Sequence, residues 1–147
     1  MIRLLTLSLV LGLVGCTPSI KHTSADLNPK TKPVKIKDVT EIFGNYSMIG
    51  RNPTDSDMGD YSGKVVIKKG LSDSSVVVEQ SIGLSEKCIG AGQLNPKDGQ
   101  LYVRFFTHMV EGTWTLLEDG TLKGTFNLNG RLGSQYDGIE VWSPISL

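Results

Sequence analysis

The 147-residue sequence predicts an all-β fold, an antiparallel up-and-down meander of about eight strands closed into a small barrel. Three observations carry that expectation. From Phe43 onward apolar residues recur with period two, the repeat of a half-buried strand. Turn residues interrupt the pattern every eight to twelve positions, the spacing of sandwiches and barrels. Beyond the N-terminus, no stretch carries a convincing 3.6-residue apolar stripe, so helix is confined to one turn at Val39–Phe43. A two-sheet sandwich of the same strands is the alternative architecture.

The strands follow in order. Asn45–Arg51 is the first and ends at Asn52-Pro53. Tyr61–Lys69 is the second, with Tyr61, Gly63, Val65 and Ile67 on one side. Ser75–Ile82 carries the β-branched run Val76-Val77-Val78, and Lys87–Leu94 follows it. The turn Asn95-Pro96-Lys97-Asp98-Gly99 leads into Leu101–Thr107. Gly112–Leu117 and Thr121–Asn129 form the clearest hairpin, joined by Glu118-Asp119-Gly120, whose Asp-Gly pair suits positive φ. Leu122, Gly124, Phe126 and Leu128 share one face of the second arm. Tyr136–Ser143 closes the set before Pro144. Gly63, Gly90, Gly92 and Gly124 fall inside strands, where glycine marks a bend or a close backbone approach.

The N-terminus has a different character. Arg3 precedes an apolar run from Leu4 to Val14, broken only by Thr6, Ser8 and Gly12. The run is too short for a membrane span, which needs roughly 20 residues, and suits the apolar region of an export signal. It ends at Leu13-Val14-Gly15-Cys16, which resembles the lipobox of bacterial lipoproteins. The resemblance implies cleavage before Cys16 and lipid attachment to its thiol. Thr17 stands where that family's inner-membrane retention signal has aspartate, which implies the outer membrane. Residues 17–38 contain Pro18, Pro29 and Pro33 and five lysines against two aspartates, the composition of an extended tether. The expected organisation is therefore a signal peptide (1–15), a lipidated tether (16–38) and a single β domain (39–147).

Charge and composition exclude several function classes. The formal net charge is zero, which disfavours nucleic acid as a partner. From Glu41 onward the chain has nine basic and thirteen acidic residues and is mildly acidic. His22 lies in the tether and His108 at a strand end, and neither has a second ligand or base near it in sequence. With Cys16 lipidated, Cys88 is the one free thiol, expected as a small buried side chain. The loop Asn52–Asp60 holds Asp55, Asp57 and Asp60, but counting from Asp55 the glycine and glutamate of a calcium loop are missing at positions 60 and 66. Gly90-Ala91-Gly92 lacks the third glycine and following helix of a phosphate cradle. The expectation is a non-enzyme with no metal site and no cofactor. The aromatic residues Tyr102, Phe105, Phe106, Trp114, Phe126 and Trp142 fall on strands and are read as core.

The order Gly44-x-Tyr46, Tyr61-x-Gly63-x-Val65-x-Ile67, Gly90-x-Gly92, Leu101-x-Val103, and Trp114 through Asp119-Gly120-x-Leu122-x-Gly124-x-Phe126 to Glu140 resembles lipocalin-like and avidin-like exported barrels. The resemblance covers residues 43–142 and implies an eight-strand barrel, without assigning catalytic residues. Together these readings predict a membrane-anchored envelope lipoprotein that binds a protein or other ligand. A carrier of a small hydrophobic molecule in the barrel mouth and an inhibitor of an envelope-directed hydrolase or toxin are the alternatives.

Overall fold

The computed structural model describes residues 27–53, 59–107, 109–128 and 137–145. Among the described residues there are nine strands: β1 (Pro33–Val34), β2 (Gly44–Arg51), β3 (Asp60–Lys69), β4 (Ser75–Ile82), β5 (Glu86–Asn95), β6 (Gln100–Phe105), β7 (Val110–Leu117), β8 (Leu122–Leu128) and β9 (Gly138–Pro144). All neighbours are antiparallel, in the order β7-β6-β5-β4-β3-β2-β9-β8, and β8 pairs again with β7. That last ladder closes the ring, so β2–β9 have no free edge, and closure of the meander decides for barrel over sandwich. The eight expected strands are all found, with ends shifted by at most two residues among the described positions.

The turns obey their residues. Gly99 (φ 70°) and Gly120 (φ 83°) take the left-handed conformation that their turns require. In the second turn Asp119 Oδ1 accepts from the Thr121 amide, and the Gly120 amide donates to the Leu117 carbonyl.

One end of the barrel is closed by the chain leading into β2. Residues Val39–Ile42 form a one-turn 3-10 helix, close to the expected turn at 39–43. Asp38 caps it by accepting from the Thr40 amide, and Glu41 accepts from the Asp38 amide. Its Val39 and Ile42 are buried in the interior cluster, and the Tyr46 hydroxyl donates to the Ile42 carbonyl over 2.8 Å. The β3–β4, β5–β6 and β7–β8 turns lie at this closed end; the β4–β5 turn and the described residues Phe106, Thr107 and Met109 lie at the far end.

The described part of the expected tether is not free chain. Pro33 and Val34 extend β7 opposite Leu117 and Leu116, beyond where β6 stops. The Glu118 amide donates to the Lys32 carbonyl, and the Ile36 amide to the Gly99 carbonyl. Leu27 and Ile36 are buried, and Lys123 on β8 donates to Asn28. Prolines remain compatible with this because β1 is a two-residue edge, the position where a missing donor costs least. Residues 27–36 thus form a strap against the barrel wall.

The interior is built from rings resting on glycines. Trp114 and Trp142 stack with centroids 4.6 Å apart, and Phe105 meets Trp114 edge-on at 6.2 Å. A Cβ on Gly90 would meet Phe105, on Gly112 or Gly124 the Trp114 indole, and on Gly138 the Phe126 ring. These glycines give up side-chain volume so that a large ring can lie flat against the wall. Leu122, Gly124 and Phe126 share the inward face as the period predicts, as do Val65 and Ile67. Two of the six aromatic residues read as core point outward: Tyr102 and Phe106 are exposed. Phe106 lies just past the end of β6, and Tyr102 occupies the outward phase of that strand.

Candidate functional site

A buried polar cluster stands among these rings. Glu140 on β9 is 4% exposed, at an inward position shared with Trp142. Its Oε1 accepts from the Tyr61 hydroxyl at 2.5 Å, and its Oε2 accepts from Gln80 Nε2 at 2.9 Å and Trp142 Nε1 at 2.7 Å. The cluster thereby ties β3 and β4 to β9.

The geometry depends on one absent side chain. In the sheet, β2 separates β3 from β9, and Gly50 is the residue paired with both Tyr61 and Glu140. A Cβ on Gly50 would fall within 2.6 Å of the Tyr61 hydroxyl. Because Gly50 has none, the phenol ring crosses β2 and reaches the carboxylate. Gly124 flanks Glu140 on its other side, so the carboxylate sits between two bare positions.

The electrostatics follow from burial. Loss of water raises the Glu140 pKa to about 6, against the pull of the Tyr61, Trp142 and Gln80 hydrogen bonds, which lower it. Burial first, and then the same carboxylate, pushes the Tyr61 phenol well above its ordinary value. Cys88, buried on β5, is pushed up to about 11, first by burial and then by Glu86 and Glu140. A thiol held protonated in this way is a poor nucleophile. With three donors from three residues converging on it, the Glu140 carboxylate cross-links β3, β4 and β9.

Two further features lie on the outside. At the far end Leu84, Ile89, Phe106 and Met109 are exposed, and the Phe106 amide donates to the Ile89 carbonyl. Between the strap and the outer face of β6, β7 and β8 runs a groove of about 530 Å³. Gln100 Nε2 donates to Thr115 Oγ1 within it.

Of the residues singled out in the sequence, Cys16, His22, Asp55, Asp57 and His108 lie outside the described residues. Asp60 is exposed and forms a bidentate pair with Arg51, at 2.9 Å for each contact. Gly90 and Gly92 serve packing against Phe105 and Val76. Among the described residues no group of three or more His, Cys, Asp or Glu side chains is placed to hold a metal. Sequence reasoning passed over the Glu140 cluster. Its signal is a carboxylate two residues before Trp142, on the apolar phase of a strand. Comparison with protein-family models and with curated proteins returns no match for this chain.

Proposed function

We propose that this chain is a non-catalytic, membrane-anchored lipoprotein of the bacterial envelope whose barrel is a binding module for a protein or another ligand. The anchor rests on Leu13-Val14-Gly15-Cys16, which resembles a lipobox. The binding role rests on one observation: stacked rings and a fully engaged carboxylate occupy the middle of the barrel, which favours the outer surface as the working part. A carrier would instead need an apolar hollow of several hundred Å³.

The strap adds a constraint on reach. Leu27 lies beside the closed end, eleven residues after Cys16, so an acylated Cys16 stands within about 40 Å of it even if that stretch is fully extended. Several acyl chains, at about 0.8 kcal/mol per buried methylene, hold the module firmly at the membrane.

Replacing the modified residue tests the reading. Cys16→Ala is expected to abolish acylation and release the protein from the membrane fraction. Unchanged membrane partitioning and unchanged electrophoretic mobility of that variant would overturn it.

A further inference from the structure

We propose that the groove beneath the strap is a binding site for a short, uncharged oligosaccharide. The inference deepens the binding-module reading but does not depend on the anchor.

The groove is built rather than incidental. Its roof is the Pro29–Pro33 stretch, pinned at one side by the Lys123–Asn28 hydrogen bond. On the other side it is pinned by the Glu118–Lys32 backbone bond and the pairing of β1 with β7. Two prolines stiffen the roof, which lowers the ordering cost of binding. The volume of about 530 Å³ falls within the range of small-molecule sites.

The floor specifies the chemistry. Thr113 on β7 stands directly opposite Thr125 on β8, and Thr115 stands opposite Lys123. Gln100 completes the floor from β6. Each threonine hydroxyl both donates and accepts, and an amide does the same, as the hydroxyls of a sugar require. Across strands these positions are spaced by about 5 Å and along a strand by about 7 Å, so successive groups meet successive ring substituents.

Other ligand classes fit less well. Leu117, Gly124 and the two prolines share the lining with six polar residues, and a strongly hydrophobic molecule would bury those polar groups without partners. A polyphosphate needs several cations, whereas the groove has one ammonium that already donates to Asn28. An extended peptide adding as a strand needs an open edge, and β7 is paired on both sides here.

The test uses the full chain as it is purified, titrated separately with maltotetraose, cellotetraose and chitotetraose. Binding is followed by calorimetry and by amide chemical shifts. At least one sugar is expected to bind saturably, with shifts concentrated at Gln100, Thr113, Thr115, Lys123 and Thr125. The double variant Thr113→Val/Thr125→Val is expected to weaken that binding at least tenfold while its melting temperature stays within a few degrees of the parent. Absence of binding by all three sugars overturns the inference, as do shifts centred on the far end or undiminished binding by the double variant. If those results accompany recovery of a specific protein partner, the inference falls while the binding-module reading stands.

Discussion

Glu140 shows how burial and hydrogen bonding oppose each other at a single residue. Its carboxylate is penalised by loss of water and only partly relieved by Tyr61, Trp142 and Gln80, so its pKa in the fold, about 6, exceeds the ordinary 4.5. The sign of the pH effect follows. Between these two values the folded chain takes up a proton that the unfolded chain does not, so stability rises as pH falls from above 6 to about 4.5. The difference corresponds to about 2 kcal/mol. Urea unfolding midpoints at pH 7.5 and 4.5 check this, and Glu140→Gln should remove most of the dependence. That variant should itself cost about 1–3 kcal/mol at pH 4.5, because the amide's NH₂ group faces donors wherever it points. A parent protein whose stability falls over that interval, with Glu140→Gln falling in parallel, would show that other groups dominate. Cys88 offers a second check at this scale. Its buried, protonated thiol should react with a disulfide reagent only as fast as the protein opens.

Within the strands, bulk on one residue is matched by its absence on the neighbour. Gly50→Ala should push the Tyr61 ring off β2 and break its bond to Glu140, destabilising by about 1–3 kcal/mol. Tyrosine fluorescence and denaturant unfolding check it; an unchanged midpoint would mean that the ring has another seat. Phe126→Ala, at an inward position of β8 and 4% exposed, should cost about 3–5 kcal/mol by leaving a cavity beside Gly138. Its midpoint is the measure. Most of this order was legible in the sequence. Period-two apolar positions put Val65, Ile67, Leu122 and Phe126 on the inward face, and Asp119-Gly120 marked its turn. The Tyr61–Glu140 contact was not legible, because it joins residues 79 apart across a strand that lies between them. The strap was illegible for a different reason. Its prolines and lysines read as solvated chain, and only Leu27 and Ile36, each an isolated apolar residue, report its attachment. Outward Tyr102 and Phe106 show the limit of composition: an aromatic ring on a strand is core only in the inward phase.

For the molecule as a whole, ring closure is the governing fact. Each of β2–β9 is paired on both sides, so hydrogen exchange should find slow amides around the full circumference, including β8 and β9, with β1 exchanging sooner. Rapid exchange confined to the β7–β8 ladder would mean that the ring opens in solution. The order in which the chain joins this ring also sets how it bears mechanical tension. A pull applied ahead of Leu27 reaches the Asn28–Lys123 and Lys32–Glu118 bonds first, then the two-residue β1 ladder, then the Ile36–Gly99 bond. Beyond these the load reaches the capped helical turn, and only after it β2, which has eight residues paired with β3. The strap therefore extends stepwise under force, yielding length while the closed ring behind it keeps its shape.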